Sequence, residues 1–215
     1  VLEGDAGEIT DMQKKLLHEA FTSSERMVHL INDFLNISRL QTGKFVIDRR
    51  LTDISKLMHQ EVDSLRTTAV SRDLKLQFSE PKTVPKLYVD EGKLRQVVMN
   101  FIDNAIFYSK PDTTIKVKLI VEDDIMTVTV KDTGIGVPAS EQPHLFKKFF
   151  RASNARKQRP DGTGVGLYLA KRVITEHGGR IIFESTEGKG SMFGFELPMK
   201  KLGLAPADNA DELDK

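Results

Sequence analysis

Two glycine clusters set the strongest limit on how this chain can fold. The first is Asp132-Thr133-Gly134-Ile135-Gly136-Val137-Pro138 and the second is Asp161-Gly162-Thr163-Gly164-Val165-Gly166-Leu167. Between them lie an aromatic cluster (Phe146, Phe149, Phe150) and a basic, turn-rich run from Arg151 to Pro160. Glycine has no Cβ, so its N–H groups can curl round phosphate oxygens. Two commoner phosphate motifs are excluded. No stretch supplies GxxxxGK followed by Ser or Thr; Gly188-Lys189-Gly190-Ser191 lacks the upstream glycine. The second cluster reads GxGxG with Leu167 where a dinucleotide fingerprint needs its last glycine, and a polar loop precedes it where a strand should end.

The 215 residues suffice for one sizeable domain and a smaller element, and 39% hydrophobic with 29% charged residues suits a globular core. A net charge of +1 argues against a generic nucleic-acid binder. Without cysteine there is no disulfide framework and no thiolate metal site. No apolar run approaches the roughly 18 residues of a membrane span, and no signal peptide is expected. The chain begins at Val1 rather than Met, as expected of a piece of a longer protein.

Periodicity orders the elements. Thr10 or Asp11 caps a long helix to about Leu40, with apolar positions on more than one stripe, as in a helical hairpin or bundle. Gly43 is its expected C-cap. Phe45-Val46-Ile47 reads as a short strand, and Asp53 caps a helix over about 54–72. Strands follow at 74–78 and 87–89. Asp90 caps the clearest helix, whose Leu94, Val97, Val98, Phe101, Ile102 and Ala105 share one face. Asn100, Asn104 and Tyr108 fall on a neighbouring face. Residues 115–121 and 125–131 alternate as a hairpin round Glu122-Asp123-Asp124. A helix over 164–177 stops at Gly178-Gly179, and 180–185 with 192–197 forms a last hairpin. Residues 201–215 read as a disordered tail.

The residue types suggest a chemistry. Asp132, at a strand end, is an acceptor only, and an adenine amino group is a suitable donor. Gly134 and Gly136 let backbone lie against a flat base. Asn100 and Asn104 sit one turn apart in a mostly buried helix, where Asn is not favoured. An amide oxygen suits Mg²⁺, which takes few protein ligands beside phosphates. Tyr108 could stack on a base or fill the core. Arg151, Arg156, Lys157 and Arg159 suit a mobile, phosphate-facing lid. Read singly, each has a plainer explanation: a turn Asp, satisfied core amides, a solvated loop.

Read together, they resemble one family. Asn100-Phe-Ile-Asp-Asn104-Ala is similar to the N-box of sensor histidine kinases, Asp132-Thr-Gly-Ile-Gly136 to their G1 box, Phe146-Lys-Lys-Phe149-Phe150-Arg151 to the F-box and Gly162-Thr-Gly-Val-Gly166-Leu167 to the G2 box. The order is the family's. Leu30 to Lys44 resembles the end of its dimerisation and histidine-phosphotransfer hairpin. The resemblance implies an α+β fold: a two-layer sandwich with a mixed sheet covered on one face by three helices, an ATP lid, and a preceding hairpin helix. It implies residues 1–44 as part of the dimerisation hairpin and 45–200 as the ATP-binding catalytic domain. It implies Asp132 on the adenine amino group, Asn104 as the main Mg²⁺ ligand, Asn100 placing metal or phosphate, and Tyr108 lining the adenine pocket. Arg151 and the lid would meet the phosphates, while Gly134, Gly136, Gly162, Gly164, Gly166 and Leu167 would shape the ATP site. The expected partners are ATP, a response regulator and a second subunit in the full-length protein, with no nucleic acid. The expected setting is the cytoplasm, as a free protein or as the cytoplasmic part of a membrane-bound sensor.

Two departures stand out. Phe107 occupies a place where many relatives carry a basic residue, and the phosphoacceptor box is absent. His18-Glu19 lacks the following Pro and matches the second hairpin helix. His18, His29, His59, His144 and His177 are therefore expected to be structural or solvent-facing, and the chain is not expected to phosphorylate itself. The alternative is a nucleotide-gated interaction module, or another ATPase of the same superfamily. The hydrolysing relatives carry a Glu where Asn100 stands, which disfavours the latter.

Overall fold

The computed structural model describes Gly7 and residues 9–42, 45–160 and 162–203. The expectations for Gly43, for Asp161 and for a tail over 204–215 lie outside the described residues. The chain divides into two compact units, Val1–Phe45 and Val46–Lys215.

Among its described residues the first unit holds one helix, α1 (Asp11–Gln41). Thr10 Oγ1 accepts from Gln13 N, and Gln13 Oε1 accepts from Thr10 N at 2.8 Å, so each satisfies an open end of the other. Met12, Leu16, Phe21, Met27, Val28, Ile31 and Leu35 are exposed. Among the described residues no helix is long and apolar enough to cross a membrane.

The second unit runs β1 (Arg50–Thr52), α2 (Ile54–Val70), β2 (Lys75–Ser79), β3 (Leu87–Val89), α3 (Glu91–Tyr108), β4 (Thr114–Glu122), β5 (Ile125–Lys131), α4 (Ser153–Gln158), α5 (Gly166–Glu176), β6 (Arg180–Thr186), β7 (Gly190–Pro198) and α6 (Met199–Leu202). Five strands form a mixed sheet in the order β2-β4-β5-β7-β6, parallel only at β2-β4. Alternation sends Leu76, Ile115, Val117, Leu119, Met126, Val128, Val130, Phe195 and Leu197 to one buried face. There α2, α3 and α5 cover them with Leu57, Met58, Phe101, Ile102 and Ile174. The other face carries Lys116, Lys118 and Lys131 in the open. This is the two-layer α/β sandwich expected. Asp123 and Asp124 both take positive φ, the turn a two-residue hairpin needs.

Asp53 and Asp90 cap α2 and α3 by accepting from Lys56 N and Lys93 N, each at 3.0 Å. Asp90 also sets the first correction. The expected strand over Phe45-Val46-Ile47 is not one; Val46 is 71% exposed. Asp90 Oδ2 ties down Asp48 N at 3.1 Å, and the ladder with β3 begins beyond it, as a separate pair from Arg50 opposite Val89 to Thr52 opposite Leu87. The reading of 201–215 as a tail is corrected at its start, because α6 runs to Leu202, which is buried.

His177 is buried at the end of α5. Its Nε2 accepts from Asp90 N at 2.9 Å, so the ring hydrogen sits on Nδ1 and is donated to Val173 O at 2.8 Å. The neutral ring therefore joins the end of α5 to the start of α3. Burial pushes its pKa down, with Arg49 and Lys93 adding to the effect and the Val173 carbonyl and Asp90 opposing it.

Candidate functional site

The site begins on α3. Its buried stripe fixes the rotation of the helix, and this leaves Asn100, Asp103, Asn104 and Phe107 half-buried along one flank. Asn104 Nδ2 donates to Asn100 Oδ1 at 3.3 Å. That bond turns Asn104 Oδ1 away, and among the described residues it takes no partner. Asn100 Nδ2 is buried and, among the described residues, also has no partner. A buried amide donor left open costs stability, so its persistence points to a ligand acceptor. The start of α5 closes on the same spot: a Cβ on Gly166 would lie 2.4 Å from Asn100 Oδ1. The first turn of α5 holds no acidic side chain and its N-cap, Val165, makes no side-chain cap, so its N–H groups suit an anion.

The second wall is the turn after β5. Asp132 is 5% exposed. Its Oδ1 accepts from Gly134 N at 2.7 Å and Ser191 N at 3.1 Å, while Oδ2 takes no hydrogen bond from the described residues. Burial raises its pKa, and those two N–H groups oppose the shift. The turn leans on the end of α3, where Ile135 N donates to Tyr108 O at 3.2 Å. A Cβ on Gly134 would lie 2.2 Å from that carbonyl, and one on Gly136 would lie 2.1 Å from Thr186 O. Ser185 Oγ accepts from Val137 N at 2.9 Å and fixes the far side. The Tyr108 ring stands edge-on to Phe107. Leu167, in the first turn of α5, is half-buried.

The lid is the second correction. The run after Arg151 is not turn throughout, because α4 occupies Ser153–Gln158. Its cap comes from outside the segment: Glu141 Oε2 accepts from Ser153 N at 2.8 Å, and this bond holds the Glu141 carboxyl below its ordinary range. Asn154 Nδ2 donates to Gly136 O at 2.9 Å, and Gln158 Nε2 donates to Phe107 O at 3.3 Å. Thus α4 bridges from the Asp132 turn to α3. Arg151 donates to Pro160 O at 2.9 Å, Gly162 O at 3.0 Å and Ala155 O at 3.4 Å, and also to Arg159 O. The arginine expected at the phosphates spends these bonds on lid carbonyls. A Cβ on Gly162 would meet its guanidinium at 2.9 Å, and Gly164 needs its φ of +69° where Phe149 N reaches its carbonyl.

The structure therefore brings Asn100, Asn104, Tyr108, Asp132, Gly134, Gly136, Gly164 and Gly166 round one region. The sequence reading missed Glu141, Asn154, Ser185 and Ser191, which act on backbone far along the chain and follow no local pattern. It quoted Asp103 only as a letter of a motif. Among the described residues no three His, Asp or Glu side chains gather to hold a metal by themselves. The oxygen on offer is that of Asn104, which fits a cation shared with a ligand's own oxygens.

Residues 89–201 match the family described as histidine kinase-, DNA gyrase B-, and HSP90-like ATPase. The chain is 32% identical over 210 residues to the circadian input-output histidine kinase CikA of Synechococcus elongatus, covering 97% of this chain and 28% of that protein. It is 32% identical over 200 residues to the sensor histidine kinase WalK of Bacillus subtilis, covering 91% of this chain and 32% of that one. The chain thus spans roughly a third of the length of these curated relatives. Among solved structures, full-length ShkA in complex with AMPPNP superposes with a TM-score of 0.75 at 24% identity, over 91% of this chain and 40% of that one. The Acinetobacter baumannii histidine kinase AdeS gives 0.70 at 20% identity, over 91% and 88%. At these identities the structures speak for the fold.

Proposed function

The chain belongs to the histidine kinase-, DNA gyrase B-, and HSP90-like ATPase family, and from that premise we propose that it is the ATP-binding part of a sensor histidine kinase. In this role it presents the γ-phosphoryl group of ATP to a histidine, for relay to an aspartate of a response regulator. The observation that carries the reading is the amide pair on α3: a buried Asn100 Nδ2 beside Asn104 Oδ1, neither with a partner among the described residues.

The residues divide the work. Asp132 Oδ2 accepts from the adenine amino group, and the Gly134 and Gly136 backbone lies against the base beside Tyr108. Asn104 Oδ1 is the oxygen for Mg²⁺, and Asn100 Nδ2 donates to a phosphate oxygen. When bound, Mg²⁺ neutralises phosphate charge and orients the terminal phosphoryl group. The first turn of α5 adds N–H groups towards the same anion. Transfer of this kind is mostly positioning and charge stabilisation. Asn100 is an amide and cannot take a proton from water, which suits delivery to a histidine better than hydrolysis. The exposed apolar residues of α1 support a helical hairpin and a second subunit as its covers. On this reading the domain works in the cytoplasm, where ATP is.

The test is incubation with γ-labelled ATP, alone and with a separately made two-helix polypeptide carrying a histidine box. Acid-labile label on the added polypeptide only is expected. ATP binding without transfer to any histidine box would favour the interaction module. Label on His18 would show that the acceptor was misread.

A further inference from the structure

We infer that Arg159, rather than Arg151, is the lid cation that contacts the nucleotide phosphates, and that it does so by exchanging its bond to Asp103 for one to phosphate. This rests on the ATP reading above and names one more residue of that site.

Between Asn100 and Phe107 the flank of α3 carries no cation: its other members there are Asp103 and Phe107, a carboxylate and a ring. Lys93, two turns earlier on the same face, is paired with Asp90 at 2.6 Å. A polyphosphate held there meets one negative group already in place, so a cation must come from another element. Arg151 is committed to lid carbonyls. Arg156 and Lys157 are exposed on α4, and Arg156 lies within the field of Glu141. Arg159 is different. Its guanidinium stands 4.6 Å from the centroid of Phe107, and Nη1 lies 3.2 Å from Asp103 Oδ2. It has therefore already crossed from the lid to the flank that carries both asparagines.

Its two contacts have unequal strength. The bond to Asp103 is a single one between side chains 33% and 44% exposed, a class of ion pair that holds weakly in water. A phosphate carries more charge and accepts from a guanidinium through two parallel bonds, so it displaces a carboxylate held by one. The Phe107 ring keeps the guanidinium plane in place while the ionic partner changes. Gln158, next in the chain, holds the Phe107 carbonyl and limits how far Arg159 can swing. Arg72 stacks on the same ring at 4.6 Å, but it makes no ion pair with Asp103. Phe107 thus serves as a platform for a cation brought by the lid.

Calorimetric titration of the 215-residue chain with ATP and with adenosine, in Mg²⁺, tests this. The variants are Arg159→Ala, Arg159→Lys, Asp103→Asn and the Arg159→Ala/Asp103→Asn pair. Arg159→Ala is expected to weaken ATP by about ten- to hundred-fold, the loss of a charged hydrogen bond, and to leave adenosine unchanged. Arg159→Lys is expected to fall between, since it keeps charge without the two parallel donors. Asp103→Asn is expected to tighten ATP, and to do so less in the Arg159→Ala background. If Arg159 merely latched the lid, Asp103→Asn would weaken ATP as Arg159→Ala does, and that outcome overturns the proposal. Equal losses for ATP and adenosine in Arg159→Ala also overturn it. A wild-type chain that binds no ATP overturns the functional reading as well. A wild-type chain that binds ATP with an indifferent Arg159 overturns this inference alone.

Discussion

Asp132→Asn separates recognition from folding. In the native turn Oδ1 already accepts from Gly134 N and Ser191 N, and only Oδ2 is left for a ligand. Asparagine keeps one oxygen, which takes over the two backbone bonds. Those bonds lose their charge assistance, but the cost of burying a carboxylate disappears with it. The two effects oppose each other, so folding stability should change by no more than about 1 kcal/mol. The ligand side has no such offset. An NH₂ group now faces the adenine amino group, donor against donor, in place of a charged acceptor. The loss should be roughly 1.5–3 kcal/mol, or about ten- to hundred-fold in Kd. A purine with a carbonyl at that position should lose less, because the new NH₂ can donate to it, so the preference for ATP over GTP should collapse. Calorimetry with both nucleotides, beside a urea unfolding curve for each protein, reads all three quantities. Unchanged ATP affinity in a folded variant would refute the adenine assignment. Acid should imitate the substitution: burial raises the Asp132 pKa, so ATP affinity should begin to fall at a pH above the ordinary aspartate range.

Asn104→Ala should lower ATP affinity far more with Mg²⁺ than without, and α3 should survive because Ala is the better helix former; equal losses in the two titrations would make Asn104 a core amide. Gly166→Ala should stabilise α5 intrinsically yet displace Asn100, whose Oδ1 a new Cβ would meet at 2.4 Å, so nucleotide affinity should drop without a matching drop in unfolding midpoint. His177 has a folded pKa below its unfolded value, so the unfolded chain takes up the proton first. Its contribution to stability should be complete above about pH 6.5 and be lost as pH falls from there towards the folded pKa. Urea midpoints of wild type should therefore decline on acidification more steeply than those of His177→Gln, and parallel slopes would contradict this. Backbone amides of 152–160 should gain hydrogen-exchange protection with ATP, since α4 is tied to both walls of the site.

What could be read from sequence divides along physical lines. The stripe of α3 was legible because helical period and burial coincide along this eighteen-residue helix, whose buried side chains run from Leu94 to Ile106. The caps Asp53 and Asp90 and the Asp123-Asp124 turn were legible because each acts on backbone within three residues. Asp132 and the asparagine pair were legible as members of ordered motifs, although singly each looked ordinary. What failed depends on distant backbone. Glu141 caps α4 from twelve residues away, so nothing in Ser153–Gln158 announced a helix. Phe45-Val46-Ile47 looked like a strand by composition, but Asp90 decides where that ladder starts. Arg151 and Arg159 are alike as letters. Only the carbonyls that surround the one and the ring beneath the other separate them.

One nucleotide should lie between α3, the Asp132 turn and the lid. A structure determined with Mg²⁺ and a non-hydrolysable ATP analogue tests it most directly. The adenine amino group is expected on Asp132 Oδ2, the metal on Asn104 Oδ1 and a phosphate oxygen on Asn100 Nδ2. A nucleotide seated elsewhere, or one seated there with Asn100 Nδ2 still unpaired and the metal away from Asn104, would contradict it.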